Sequence, residues 1–317
     1  MKARRHLIVT GGAGFIGSHL AARLLAEGHE VSVLDDLSTG RLENIPSGAR
    51  FIEVDLGKQD EYRKIDQLSG DAVFHLAGQS SGEASFLDPL GDLRSHVLST
   101  FWLLEWCREK RVRRFVYASS MSVYGDPQYL PVDEQHPLQP KTFYAAGKIA
   151  AEAYISLYRT LGIDTTIFRL FSVYGPGQNL ENRMQGMVSI FLSYLLEGKP
   201  LIVKGSGERF RDLVYIDDVV AAWLSAWQNP ASYGKLYNVA SRRKTRVVDL
   251  VEALKQAMGQ PRHPVEYLEG TPGDQFGIIG ANTLIAQDLH WQPRVDLQAG
   301  LNQLVRFEKG RLNGRFQ

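Results

Sequence analysis

The sequence contains a single cysteine, Cys107, among 317 residues. One thiol cannot form an internal disulfide, and no cysteines and histidines are spaced like the ligands of a structural zinc site. Apolar runs are short as well. None approaches the roughly 20 residues of a membrane span, and the basic N-terminus precedes only residues 7–9 before glycines begin. We therefore expect a cytoplasmic protein with no metal, no signal peptide and no membrane partner.

An excess of charge of either sign is also missing, since 36 basic residues face 35 acidic ones and the formal net charge is +1. Such a molecule has no overall field that steers it towards nucleic acid, so any anionic ligand must be held by local groups. Residues 108–114 include five basic side chains, but aromatic residues are not interleaved with them. We interpret these side chains as solvent-exposed charges at the negative end of a helix dipole, and we expect no nucleic-acid partner.

Short apolar segments alternate with longer stretches in which apolar residues recur every three or four positions. The segments typical of buried parallel strands are residues 7–10, 31–34, 51–54, 72–76, 115–118 and 165–170. Residues 18–27 and 98–110 have the period of covering helices. The alternation predicts an α/β fold with a Rossmann-type, doubly wound parallel sheet.

The alternation loosens after Leu170, where Gly175-Pro176-Gly177 begins a polar loop. Strand-like and helix-like segments return at residues 210–226 and 236–240, so we expect the chain to cross between two units more than once. The predicted units are a larger domain of residues 1–171 plus about 211–243, and a smaller α/β lobe of residues 172–210 plus about 244–317.

A glycine-rich turn lies between the first predicted strand and the first predicted helix. Gly11, Gly14 and Gly17 permit a tight turn, close approach of a pyrophosphate and close packing of the helix on the strand. Asp35 ends the second strand 18 residues after Gly17, near the interval of roughly 20 residues at which a carboxylate meets the adenosine ribose. The adjacent Asp36 would repel a 2′-phosphate. The pattern favours NAD over NADP.

Tyr144 and Lys148 are four residues apart and therefore share one face of a predicted helix. A free tyrosine has a pKa near 10, and a nearby cation lowers that pKa by about one to three units. We expect Lys148, together with oxidised nicotinamide, to lower the pKa of Tyr144 in this way. Ser120 follows the fifth strand, where its hydroxyl could bond a substrate oxygen and reach Tyr144. These three residues indicate reversible alcohol oxidation.

Together the motifs resemble the extended short-chain dehydrogenase/reductase family and, within it, the nucleotide-sugar 4-epimerases. The likeness extends over nearly the whole chain. It is carried by the glycine-rich turn, the Asp35 turn, residues 75–78, residues 119–125, the Tyr144/Lys148 pair, residues 169–178 and residues 211–219.

The resemblance implies a reaction cycle in which Tyr144 removes the proton of the sugar's 4-hydroxyl and NAD takes a hydride from C4. The 4-keto sugar then turns over, and the hydride returns to its other face. The larger domain would bind NAD and the smaller lobe a nucleotide sugar, with Arg211 on the diphosphate and Arg209 and Lys204 near the ribose or base. A homodimer paired through the helices that carry Trp102 and Tyr144 is a further expectation.

Two sets of site residues follow from the motifs and the resemblance. The predicted cofactor-binding residues are Gly11, Gly14, Phe15, Ile16, Gly17, Asp35, Asp36, Leu37, Asp55, Leu56, Leu76, Ala77, Gly78, Ser119, Tyr144, Lys148 and Phe171. The predicted substrate-binding residues are Gln79, Ser80, Ser120, Tyr144, Ser172, Arg183, Lys204, Arg209, Arg211, Asp274 and Ile278. We interpret His75, Trp102, Trp106 and Cys107 as packing residues.

Branches of the family differ at the two positions after the catalytic Ser or Thr. Dehydratases carry Asp-Glu there and decarboxylases keep the Glu, whereas this chain has Met121 and Ser122, neither of which can act as that acid or base. Epimerisation is therefore the preferred chemistry. The alternatives are a 4-keto-sugar reductase, a dehydratase that uses other residues, and a non-catalytic NAD-binding regulatory protein. The presence of Ser120, Tyr144 and Lys148 opposes the last of these.

The sequence departs from the family pattern at several substrate positions. Ser172 and His96 each replace a usual Asn, and Thr271 replaces a second diphosphate arginine, for which Arg183 is a candidate substitute. Ile278 stands where enzymes restricted to non-acetylated hexoses have a tyrosine, and Gly186 stands where a larger residue can occur. The resulting hypothesis is a pocket that admits an N-acetyl group, with UDP-GlcNAc and UDP-GalNAc preferred over UDP-Glc and UDP-Gal.

Overall fold

A computed structural model describes residues 3–184, 186–270 and 275–314 of the chain. Its strands are β1 (His6–Thr10), β2 (Glu30–Asp35), β3 (Arg50–Glu53), β4 (Ala72–His75), β5 (Arg114–Ser120), β6 (Asp164–Leu170), β7 (Ser172–Tyr174), β8 (Leu201–Lys204), β9 (Phe210–Arg211), β10 (Leu213–Tyr215), β11 (Lys235–Val239), β12 (Thr245–Arg246) and β13 (Val265–Leu268).

The helices alternate with these strands. They are α1 (Phe15–Ala26), α2 (Ala84–Leu87), α3 (Pro89–Leu93), α4 (Ser99–Lys110), α5 (Phe143–Tyr158), α6 (Met187–Glu197), α7 (Ile216–Ala226), α8 (Val247–Met258), α9 (Thr283–Leu289) and α10 (Leu297–Gly314). A π-helical turn, Arg94–Leu98, joins α3 to α4. None of the helices in the described ranges combines the length and apolarity that a bilayer crossing requires.

The central sheet has seven parallel strands in the order β3-β2-β1-β4-β5-β6-β11. All six predicted strands lie in it, which confirms the doubly wound α/β fold, and β11 adds the seventh. The strand order reverses at β1, which has β2 on one side and β4 on the other. In open parallel sheets, ligands bind outside the carboxyl ends of the strands at such a reversal.

Alternate side chains of β1 enter cores on opposite faces of the sheet, because successive residues of a strand point in opposite directions. Leu7 and Val9 belong to one core cluster and Ile8 to the other, and all three are fully buried. Trp106 and Cys107 pack in the second cluster, as the sequence suggested.

Among the described residues, three two-stranded sheets lie outside the central sheet and pair β7 with β10, β9 with β12, and β8 with β13. Most of these strands come from the predicted smaller lobe. The boundaries of the two units stay a prediction.

Arg114 corrects the interpretation of residues 108–114 as solvent-exposed. Its guanidinium is buried at the start of β5 and donates hydrogen bonds to the carbonyls of Trp227 (2.8 Å), Asp164 (2.9 Å) and Ala226 (3.1 Å). The carbonyls at 226 and 227 close α7, so the cation satisfies the negative end of that helix dipole. Its neighbour Arg113 is exposed, as expected.

Replacing Arg114 by Met should destabilise the fold by about 3 kcal/mol, because buried carbonyls lose their donor while the side-chain volume is roughly kept. Urea denaturation followed by circular dichroism measures the change. The matched control is Arg113→Met, which should stay within about 0.5 kcal/mol of the parental protein. Equal effects of the two substitutions would show that the buried hydrogen bonds do not matter.

Candidate active site

A cavity of about 1170 Å³ opens at the carboxyl ends of β1, β2, β4 and β5. Most residues proposed from the sequence line it: Gly11, Gly14, Phe15, Ile16, Gly17, Asp35, Asp36, Asp55, Leu56, Leu76, Ala77, Gly78, Gln79, Ser80, Ser119, Ser120, Tyr144, Lys148, Phe171, Ser172, Arg183, Lys204, Arg209 and Arg211. Leu37 and Ile278 do not belong to this lining. Asp274, like Thr271, lies outside the described residues.

The glycine-rich turn fits tightly between β1 and the neighbouring strands. Gly11 has φ +67°, and a Cβ there would lie 2.7 Å from the backbone nitrogen of Ala77. At Gly17 a Cβ would lie 2.2 Å from the carbonyl oxygen of Gly11. No side chain caps α1 at Gly14, so the N–H groups of its first turn are left for a ligand.

Asp35 is held at the end of β2 by two backbone donors. Its Oδ2 accepts from the N–H of Ala13 (3.0 Å) and its Oδ1 from the N–H of Leu37 (2.9 Å). Burial raises the pKa of Asp35, and these two bonds oppose the rise. Leu37 therefore acts through its backbone. The neighbouring Asp36 accepts from the N–H and hydroxyl of Ser38.

The fifth strand and α5 bring Ser120, Tyr144 and Lys148 together. Ser120 is the last residue of β5, and Thr142 caps α5 just before Tyr144. The ammonium Nζ of Lys148 donates to the carbonyl of Ala118 (2.8 Å) and lies 5.8 Å from the centre of the Tyr144 ring. All three side chains are more than nine-tenths buried, yet all line the cavity.

Burial favours the neutral form of both members of the Tyr144/Lys148 pair. It raises the pKa of Tyr144 to about 12, and the hydrogen bond from Ser120 only partly opposes this. It lowers the pKa of Lys148 to about 7, with Asp92 and Glu152 acting in the opposite direction. In the protein without its cofactor the pKa of Tyr144 is thus raised rather than lowered, because desolvation outweighs the hydrogen bond with Ser120.

Cationic groups lie at another part of the cavity. Arg211 is buried in β9 and donates to the carbonyl of Phe210 (2.8 Å), while Arg209 bonds the carbonyl of Lys204. Burial, with the nearby charge of Arg209, lowers the pKa of Arg211 to about 10. Guanidinium groups desolvated in this way favour phosphate oxygens as ligands.

Arg183, the predicted substitute for the second diphosphate arginine, has partners within the protein. It forms an ion pair with Glu197, and its guanidinium lies 4.7 Å from the centre of the Tyr194 ring. Its charge is therefore shared with a carboxylate, although the side chain lines the cavity.

The structure does not bring Ile278 to the cavity. Its side chain is fully buried in the hydrophobic core, where an aliphatic group is removed from water. Gln275 lines the cavity instead and donates to the carbonyl of Gly125. Gly186 does line the cavity, with φ +84°, and a Cβ there would lie 2.6 Å from the hydroxyl of Ser189.

Several contacts that hold one wall of the cavity were not predicted from the sequence, because the partners are distant in the chain. Arg41 donates to Asn179 (3.2 Å) and forms an ion pair with Glu181. His19 lies 2.9 Å from the carbonyl of Pro176, and Ser81 donates to the carbonyl of Met184 (2.9 Å). The loop of residues 175–184 is thus held by three separate segments, and no local pattern marks those contacts.

Comparison with known proteins identifies the family. Residues 7–240 match the model of the NAD dependent epimerase/dehydratase family. The chain belongs to this family. The UDP-glucose 4-epimerase of Mycolicibacterium smegmatis is 39% identical over 307 residues, which cover 95% of this chain and 97% of that protein.

Solved structures agree with this membership of the epimerase/dehydratase family. The UDP-glucose 4-epimerase of Thermus thermophilus, in complex with NAD, is 34% identical with a TM-score of 0.88, covering 96% of this chain and 99% of that one. The UDP-N-acetylglucosamine 4-epimerase of Methanobrevibacter ruminantium, in complex with UDP-N-acetylmuramic acid, is 27% identical with a TM-score of 0.90, covering 97% and 99%.

NAD is the cofactor of this epimerase/dehydratase, and the residues of the chain fit it. The glycines leave a cradle that side chains would fill, and the uncapped start of α1 suits a pyrophosphate. Asp35 presents a fixed carboxylate of the kind that bonds ribose hydroxyls, and the adjacent Asp36 opposes a 2′-phosphate.

Substituting Gly17 by Ala should abolish NAD binding, because the new methyl group would displace the Gly11 carbonyl and open the turn. The bound nucleotide, released by acid and measured by its absorbance, gives the occupancy. Gly310→Ala is the control, since a Cβ at that position of α10 meets no atom within 4 Å. Full NAD occupancy in Gly17→Ala would refute the role of the tight turn.

Proposed function

We propose that this protein epimerises C4 of a UDP-sugar through a 4-keto intermediate. The observation that carries the proposal is the grouping of Ser120, Tyr144 and Lys148 in a cavity that also reaches Arg211. A proton-transfer group near a desolvated cation suits a sugar attached to a diphosphate. The relatives named UDP-glucose 4-epimerase support the same activity.

The proton-transfer residues have distinct tasks. The Tyr144 oxygen takes the proton of the 4-hydroxyl and later returns it, while the Ser120 hydroxyl bonds the same sugar oxygen. Lys148 stabilises the phenolate of Tyr144 as long as the lysine side chain is in its ammonium form. When bound, NAD would supply the hydride acceptor and donor for C4, so the reaction would involve no net oxidation.

Dehydration is less well supported. Met121 and Ser122 line the cavity directly after Ser120. A thioether has no ionisable proton and a serine hydroxyl does not ionise near neutral pH, so neither replaces a carboxyl group as acid or base. A reductase would consume reduced cofactor. A regulatory protein would not need Ser120, Tyr144 and Lys148 to converge.

The nature of the sugar's C2 group is a further part of the proposal. Ile278 no longer bears on it, so the N-acetyl preference depends on Gly186 and on the size of the cavity. We expect UDP-GlcNAc and UDP-GalNAc to be substrates, with UDP-Glc and UDP-Gal weaker. The structural resemblance to an N-acetylglucosamine 4-epimerase is compatible with that order.

The test is to incubate the purified protein, without added cofactor, with each of the four UDP-sugars and to resolve the products by NMR. We expect C4 epimers with no net change in NADH. Tyr144→Phe should lose about 10²–10⁴-fold in turnover, because the general acid and base is gone. Tyr154→Phe, on the exposed face of the same helix, is the control and should keep its rate. A 4-keto-6-deoxy product would exclude the proposal.

We also propose a homodimer paired through α4 and α5. Tyr154, Leu157 and Leu161 are 40%, 64% and 58% exposed along α5 and the turn that follows it. Large apolar side chains exposed in a continuous stretch mark an interaction surface.

Leu157→Asp should convert the dimer to a monomer, since a charge would be buried at the centre of the interface. Sedimentation velocity measures the change. Leu42, which is 58% exposed, provides the control Leu42→Asp, which should stay dimeric. A monomeric parental protein would refute the proposal.

A further inference from the structure

Asp92 is a buried carboxylate beneath the proton-transfer residues. It lies in α3 and is 2% exposed. Its Oδ1 accepts from Gln79 Nε2 (2.6 Å) and lies 3.6 Å from His96 Nε2. Gln79 in turn bonds Ser81, so the carboxylate anchors a loop that lines the cavity.

Asp92 and His96 pack against the turn of α5 that carries Tyr144 and Lys148. The His96 ring meets the Tyr144 ring edge-on, with the ring centres 5.1 Å apart. A Cβ at Gly147 would lie 3.2 Å from the Cβ of His96 and 3.4 Å from Asp92 Oδ2. A glycine directly before Lys148 thus lets the carboxylate and the imidazole approach the helix backbone.

Lys148 is surrounded by four side chains that are neutral and two that are carboxylates. The groups that face it are Tyr117 and His75 from the sheet, His96 and Asp92 from the α3–α4 segment, and Tyr144 and Glu152 on its own helix. Burial lowers the pKa of both histidines and raises that of both tyrosines, so all four are neutral at pH 7.

The two carboxylates among these groups differ in their partners. Glu152 forms a bidentate ion pair with Arg169, in which the guanidinium donates two hydrogen bonds with N···O distances of 3.0 and 2.7 Å. The side chain of Asp92 contacts a neutral amide and a neutral imidazole. The charge of Glu152 is therefore largely compensated by a guanidinium. Burial raises the pKa of Asp92, whereas its hydrogen bond with Gln79 and the nearby Lys148 lower that pKa, so the carboxylate and the ammonium group favour each other's charged forms.

We propose that Asp92 is a positioning residue that keeps Lys148 in its ammonium form and ties the Gln79–Ser81 loop to the catalytic turn of α5. His96 lies between Asp92 and Tyr144 and contacts both side chains. Because its imidazole is neutral, it adds no charge to the site. This role rests on the proposed proton transfer by Tyr144 and Lys148.

Asp92→Asn tests the charge alone, since the amide oxygen can still accept from Gln79. Trace acetylation with acetic anhydride at a series of pH values, quantified by peptide mass spectrometry, follows the neutral amine of Lys148 without turnover. An anion favours the ammonium form, so its removal should move the labelling midpoint to lower pH by about one unit. Asp88→Asn, an exposed carboxylate that caps the same helix, is the control and should leave the midpoint unchanged.

Turnover gives a second readout. In Asp92→Asn the alkaline limb of the kcat profile should move to lower pH in parallel, with KM changed less than about threefold because the Gln79 contact is kept. If the variant does not fold, Asp92→Ser takes its place with the same expected shift. An unchanged labelling midpoint overturns the inference. A shifted midpoint in a protein that epimerises no UDP-sugar supports the role of Asp92 and rejects the proposed function.

Discussion

The ion pair between Arg169 and Glu152 fixes helix α5 on the sheet, and the geometry of the proton-transfer residues depends on it. Arg169 comes from β6, and Glu152 also accepts a hydrogen bond from Ser119, the neighbour of Ser120. One carboxylate thus sets the register of α5 against the ends of two strands. Lys148 and Tyr144 lie one and two turns earlier on the same face. A buried ion pair adds little net stability compared with apolar residues of the same volume, whereas removal of one partner leaves a buried charge without compensation. The pair therefore disfavours any arrangement that separates α5 from β6.

Burial disfavours the charged forms of Tyr144 and Lys148, and nearby charges must offset this effect. Burial of Tyr144 and Lys148 strengthens the electrostatic interactions between them, but desolvation also drives both residues towards their neutral forms. The two neighbouring histidines, His75 and His96, are neutral and therefore neither repel nor attract the lysine as charges. The carboxylates nearby therefore decide how much ammonium remains at neutral pH, which makes their own partners part of the catalytic electrostatics.

The features that were predicted correctly depend on neighbours in the sequence. Strand and helix periods located the sheet, because burial on the two faces follows the local pattern. The Tyr144/Lys148 spacing lies within one helix turn. By contrast, Arg114 looked like an exposed charge, since the carbonyls that it satisfies lie 50 to 113 positions away. Ile278 was predicted to be a pocket residue from its distance along the chain to the Gly-Asp motif, and that distance does not determine the direction of a side chain, which here lies in the core. Asp92 was not predicted as a site residue, since its contacts with Gln79 and the turn of α5 form only after folding.

Contacts from separate segments of the chain hold one loop of the cavity, and this bears on the proposed turning of the sugar during epimerisation. His19 projects from α1, directly after the glycine-rich turn, and contacts the loop of residues 175–184, while Arg41 holds the same loop from beyond β2. Ser81 joins it from the segment that Asp92 anchors. Because protein contacts hold this loop at three points, it forms one wall of the cavity whether or not a sugar is bound. In the proposed epimerisation, this wall keeps its position while the hexose turns to present its other face at C4.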